Sequence, residues 1–100
     1  SSLGYLKRMS IDNLKIAQSF VRDITVNSDD AVIATTIISM GHSLKIDVIA
    51  EGVETAEQLN LLRKMQCDKM QGFFVSRPLP PDEVEAFLEK GWSFFAKFGY

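Results

Sequence analysis

Three polar residues stand at the ends of, or alternate within, short apolar runs: Lys15 in Leu14-Lys15-Ile16-Ala17, Glu51 closing Val48-Ile49-Ala50-Glu51, and Gln71 in Lys69-Met70-Gln71-Gly72-Phe73-Phe74-Val75. A strand places successive side chains on opposite faces. On the first run Leu14 and Ile16 suit the helix-covered face, so Lys15 and Ala17 turn to the other. Ile49 and Glu51 form one set on the second run, and Gln71 and Phe73 on the third. A lysine, a glutamate and a glutamine can thus converge at one end of three neighbouring strands. Together they suit an anionic substrate: a cation for developing negative charge, a carboxylate as base or metal ligand, and an amide to orient water. A structural Lys–Glu pair inside a barrel fits the same residues, since a buried lysine must be paired or working.

The other polar candidates carry less. Arg77-Pro78 follows the third strand at the same end, where Arg77 could reach a phosphate, although a solvated loop arginine is the commoner outcome. His42 has no second histidine and suits a helix surface or core role rather than a metal site. Asp29 and Asp30 read as acids at a helix start. Asp47 precedes the second strand, at the end opposite to the chemistry. Cys67 follows the apolar end of a helix and reads as an inert packed thiol. A lone cysteine excludes an internal disulfide and fits a reducing compartment.

The elements that must position these residues alternate regularly. Leu3, Leu6 and Met9 mark a short amphipathic helix within Ser1–Met9, and a polar turn follows. The first strand covers Leu14–Ala17, with Phe20 and Val21 in the loop beyond it. Asn27-Ser28-Asp29-Asp30 caps a helix over about Ala31–Leu44, whose stripe is Ile33, Ile37, Met40 and Leu44 with Ile38 beside it. The second strand is Val48–Glu51, Gly52 turns the backbone, and Thr55-Ala56-Glu57-Gln58 opens a helix over about Ala56–Met65 with a capping-box pattern. The third strand is about Lys69–Val75. Pro81 starts a helix burying Val84, Phe87 and Leu88, which Lys90-Gly91 ends. Strand–helix alternation implies a parallel sheet, and three strands are too few to bury both faces and edges.

The 100 residues allow one domain, and 46% hydrophobic content supports a core. A net charge of −2 without a basic face excludes duplex nucleic acid as a partner. No apolar run approaches membrane-spanning length, so no membrane contact is expected from this segment. The chain opens without methionine and in mid-element, so it is expected to be a piece of a longer protein. Trp92, Phe94, Phe95, Phe98 and Tyr100 crowd a tail that should cover an apolar surface.

Ser1-Ser2-Leu3-Gly4-Tyr5-Leu6-Lys7-Arg8, Leu14-Lys15-Ile16, Gln18-Ser19-Phe20-Val21, Ala50-Glu51-Gly52-Val53-Glu54-Thr55, Gln71-Gly72-Phe73 and Ser76-Arg77-Pro78-Leu79-Pro80 occur in order. The set resembles the second half of the EAL domain, the bacterial cyclic-di-GMP phosphodiesterases and their degenerate relatives. The resemblance covers about Ser1 to Leu88 and implies a parallel-stranded (βα)3 half of a modified TIM-type barrel, preceded by a short helix. Residues 1–91 would be the C-terminal half of the domain and 92–100 an aromatic tail.

The resemblance further implies hydrolysis of cyclic-di-GMP to linear pGpG with Mg²⁺ or Mn²⁺ in the intact domain, and no metal in the isolated piece. Lys15 matches the lysine that holds and polarises water. Glu51 matches the acid proposed as general base or ligand of a second metal, directly or through water. Glu54 matches a structural acid, and Gln71 an active-site hydrogen-bonding amide. Gln71, Arg77 and Pro78 would contact substrate. The family's remaining metal ligands would lie before Ser1, so the piece alone should not turn over. It should self-associate or pair with the missing half-barrel. A cytoplasmic setting follows, or the cytoplasmic portion of a membrane-anchored sensor. Active members usually carry aspartate where this chain has Ala17, which argues for weakened turnover or for a domain that binds cyclic-di-GMP or a protein without cutting.

Overall fold

A computed structural model describes residues 12–72 and 77–90. The expected helix within Ser1–Met9, residues Phe73–Val75 of the expected third strand and the aromatic tail lie outside the described residues. Strands β1 (Asn13–Ile16), β2 (Asp47–Glu51) and β3 (Lys69–Gln71) form a parallel sheet in the order β1-β2-β3. Helices α1 (Gln18–Arg22), α2 (Ser28–Ser43), α3 (Ala56–Lys64) and α4 (Pro81–Lys90) follow or connect them. The register sets Lys15 beside Ile49 and Ile49 beside Lys69, then Ile16 beside Ala50 and Ala50 beside Met70.

One face of this sheet makes the core. Ile16, Val48, Ala50 and Met70 are fully buried, together with Val21 of α1, Ala34 and Ile38 of α2, Leu59 and Leu62 of α3, and Val84 of α4. The outer edge of β3 is occupied at one point. Leu79 returns antiparallel to Met70, each donating its N–H to the other's carbonyl at 2.7 Å.

The helix ends follow from local chemistry. The Asn27 side chain accepts from Asp29 N at 2.9 Å and Asp30 N at 3.1 Å, and both acids sit at the positive end of α2. Thr55 and Gln58 complete both halves of the capping box on α3. Pro81 opens α4, with Asp82 and Glu83 in its first turn.

Two expectations are corrected. Phe20 and Val21 lie in a helix, α1, rather than a loop. Five residues are too short to be helical on propensity alone, and the turn forms because it carries Val21 into the core at 0% exposure. The core stripe of α2 is Ala34, Ile38 and Gly41, whereas Ile33 stands 37% exposed. Ile37, Met40 and Leu44 are only partly buried. At Gly41 the helix lies too close to the sheet for a side chain. A Cβ on Gly41 would sit 2.4 Å from Cγ2 of Val48 and 3.2 Å from the Ile46 carbonyl oxygen.

The amino ends of the strands are tied by polar pairs. Asp68 Oδ2 accepts from Val48 N at 2.8 Å and lies 2.9 Å from His42 Nε2, while Lys69 Nζ lies 3.7 Å from Asp47. His42 therefore sits at the end of α2 as a surface partner for Asp68. The buried Cys67 thiol donates to the carbonyls of Val48 and Lys69 at 3.5 and 3.4 Å. Burial pushes the thiol from 9.0 up to about 11.

Two outcomes follow. Gly41→Ala gains about 1 kcal/mol of helix propensity but overpacks against a fully buried, branched side chain, at a cost of about 1–3 kcal/mol. A net loss, seen as a lower urea midpoint, is expected, and an unchanged midpoint would show that α2 can stand off from the sheet. Cys67 should resist thiol reagents at pH 8 until the protein unfolds. Its unfolded form ionises near 9.0 and its folded form near 11, so between those values the unfolded state binds fewer protons. Stability should therefore fall as pH rises through that window, and a Cys67→Ser variant should flatten that slope in pH-dependent denaturation.

Candidate functional site

The carboxyl ends of the three strands carry the candidate residues, and the register decides how they meet. Glu51 and Gln71 are direct cross-strand partners, so their backbones are about 4.8 Å apart and their side chains share a face. Lys15 pairs with Ile49. It therefore lies on that same face, two residues back from the Glu51 level, or roughly 7 Å along the strand. A lysine side chain spans that distance. Continued by one residue, the register sets Ala17 level with Glu51. The sheet thus brings Lys15, Glu51 and Gln71 to one rim on the face away from the core.

Glu51 and Gln71 are partly buried, but Lys15 is exposed. The sequence reading allowed a buried lysine in a barrel interior. Lys15 stands on the edge strand β1, whereas Ile49, its neighbour on the same face of the central strand, is only 5% exposed. Among the described residues, no ion pair reaches Lys15 or Glu51.

The backbone beyond Glu51 is held tightly. Gly52 adopts φ +74°, a conformation that suits glycine. A Cβ there would lie 2.4 Å from Cγ of Gln18, so the first side chain of α1 rests directly on this turn. Val53 is fully buried, and its N–H donates to the Gln71 carbonyl at 2.9 Å. Gln58 Oε1 accepts from Glu54 N at 2.7 Å and Thr55 N at 3.1 Å. The Glu54 side chain itself is exposed. What Glu54 contributes to this network is its N–H.

Arg77 is exposed, two residues before the bridge of Leu79 to Met70, which places it at the carboxyl end of β3. Pro78 beside it is partly buried. Ala17 is the N-cap of α1, extended at φ −61° and ψ 148°, with no side-chain bond to the helix. Sequence reasoning passed over Gln58 as a tether. Its part in the capping box was visible in Thr55-Ala56-Glu57-Gln58, but its Nε2 also donates to the Arg22 carbonyl at 3.3 Å, a contact across 36 residues of sequence. No local pattern signals such a contact.

Among the described residues no cluster of three or more His, Cys, Asp or Glu could hold a metal ion. Glu51 offers one carboxylate beside an ammonium and an amide, whereas Mg²⁺ and similar cations take a shell of oxygen donors. The described residues therefore do not fit a divalent metal by themselves.

Residues 1–78 match the sequence family described as the EAL domain. The chain is 51% identical over 88 residues to the signaling protein YkoW of Bacillus subtilis, which covers 88% of this chain and 11% of that protein. It is 48% identical over 88 residues to the cyclic di-GMP phosphodiesterase NbdA of Pseudomonas aeruginosa, again 88% of this chain and 11% of the relative. It thus spans about a ninth of the length of these relatives. A solved structure of the PaMucR phosphodiesterase in complex with c-di-GMP superimposes with a TM-score of 0.69 at 40% identity, covering 84% of this chain and 34% of that one.

Proposed function

The chain belongs to the EAL domain family, and on that premise we propose that it is part of a metal-dependent phosphodiesterase that hydrolyses cyclic-di-GMP to linear pGpG in bacterial signalling. Its parallel sheet and helices are a (βα) portion of that family's TIM-like barrel. The observation that carries the proposal is the register itself. Lys15, Glu51 and Gln71 stand on one face at the carboxyl ends of adjacent parallel strands, where barrels of this type place their chemistry.

In this reading Lys15 holds and polarises the attacking water, and Glu51 takes its proton as general base. Gln71 hydrogen-bonds in the site and helps to orient the phosphate. The water oxygen bonds to phosphorus, one ester P–O bond breaks, the departing sugar oxygen takes a proton from solvent to become a hydroxyl, and the ring opens. Arg77 and Pro78 contribute to substrate contact from the loop beyond β3. Dependence on Mg²⁺ or Mn²⁺ belongs to the intact domain, whose other donors come from outside the described residues. Glu51 alone would add one oxygen donor to such a centre, directly or through water. The hundred residues by themselves are then inactive.

A sheet of three parallel strands is a small part of a closed barrel, which favours pairing with the rest of a barrel or with a second copy. Among the described residues no helix is long and apolar enough to cross a membrane. A cytoplasmic setting is part of the proposal.

Ala17 favours a second reading. It directly follows β1 and keeps an extended backbone, two residues after Lys15, so an aspartate there would lie within reach of the lysine. Without that acid the domain would serve as a cyclic-di-GMP sensor or protein-interaction module.

The intact parent, supplied with Mg²⁺ and cyclic-di-GMP, should release pGpG. Binding without release would overturn the enzyme reading in favour of the sensor. Glu51→Gln should lower turnover by about 10²-fold or more if the glutamate acts as general base. Ala17→Asp should both raise turnover and stabilise α1 by about 1 kcal/mol through a new N-cap. A higher melting temperature with no gain in turnover would assign position 17 to capping alone.

A further inference from the structure

Gln58 is the buried polar side chain among the described residues, only 6% exposed, and it does more than a helix cap requires. The reciprocal cap needs its Oε1 to accept from the N-cap N–H, here Thr55 N at 3.1 Å. The same oxygen also takes Glu54 N at 2.7 Å. Its Nε2 then donates to the carbonyl of Arg22, the last residue of α1.

The two segments joined in this way leave neighbouring strands of the site. One begins at Ala17, two residues after Lys15, and the other begins at Gly52, directly after Glu51. A second contact ties them at the opposite end of α1, where Gln18 lies over Gly52. The Val53 N–H carries the connection onward to the carbonyl of Gln71.

We propose that Gln58 is a positioning residue of the phosphodiesterase site, its carboxamide holding the segment that follows Lys15 against the turn that follows Glu51. The proposal rests on the functional reading above. A loose α1 would let the two side chains drift relative to each other, and misplacement on the ångström scale costs turnover before it costs binding.

The substitution that separates this role from simple capping is Gln58→Glu. A carboxylate keeps both accepted hydrogen bonds, since glutamate serves a capping box as well as glutamine. It has no N–H for the Arg22 carbonyl and opposes it with negative charge. Gln58→Ala removes the cap and the tether together. In the intact protein Gln58→Glu should melt lower than the parent, because it sets a carboxylate oxygen against the Arg22 carbonyl in a buried site, while kcat falls about tenfold and KM stays within about twofold. Amide exchange at Val21 and Ile24 of the tethered segment should accelerate, while the Glu54 and Thr55 amides remain protected. Gln58→Ala should lose protection at both places and melt lower.

Unchanged exchange at Val21 and Ile24 in Gln58→Glu would overturn the tether and leave Gln58 as a cap. A parent that binds cyclic-di-GMP without cutting it would overturn the phosphodiesterase reading instead. The exchange measurement needs no turnover, so the tether is then decided by exchange alone.

Discussion

The phase of the strands decides everything that the site can be. With the observed phase, Ile16, Val48 and Met70 are fully buried against the helices, each worth about 1.5–3 kcal/mol relative to exposure. A one-residue slip would turn these three to solvent and drive Lys15, Glu51 and Gln71 into the core. It would also bury charges without partners, at several kcal/mol each. No gain elsewhere in a sheet of three short strands offsets that. The polar rim is therefore a consequence of core packing, because the side chains that can do chemistry occupy the phase that the core rejects.

Much of this was legible because it depends on local rules. Alternation in Leu14-Lys15-Ile16 and Val48-Ile49-Ala50-Glu51 assigns faces without knowledge of neighbours. Asn27, Thr55 and Pro81 mark helix starts by chemistry that acts within four residues. Gly52 stands where a sharp turn after Glu51 needs a left-handed backbone, and the structure gives it φ +74°. The parallel sense of the sheet follows from strand–helix alternation, whereas the sequential order of its strands is what the resemblance to a barrel implied.

The misreadings share a cause: each depended on how closely two elements approach. The inner face of α2 is set by the distance between helix and sheet. At contact with Val48 only a glycine fits, at Gly41, and the buried stripe then runs through Ala34 and Ile38 and leaves Ile33 partly exposed. A hydrophobicity pattern ranks isoleucine above glycine and so selects the wrong stripe. The short helix α1 forms because Val21 must reach a core built by residues far along the chain. The bond from Gln58 to Arg22 exists only once α1 and α3 are docked. Lys15 is exposed for the same kind of reason, since its surroundings depend on its place on the edge strand, while Ile49 beside it on the central strand is buried.

Polarity alone would not have singled out the carboxyl rim. Lys69 shares a face and a cross-strand row with Lys15, one strand beyond Ile49, yet Lys69 has Asp47 3.7 Å away. At the amino ends of the strands Asp68 likewise has His42 and the Val48 N–H. Such exposed pairs contribute little energy, but they leave those groups with a structural role. At the carboxyl ends the sequence supplies a lysine and a glutamate with no ion-pair partner among the described residues. It also supplies an alanine at the position from which an acid would reach that lysine. The carboxyl rim therefore differs from the amino ends in lacking such local ion pairs among the described residues, and the proposed roles of Lys15 and Glu51 rest on that difference.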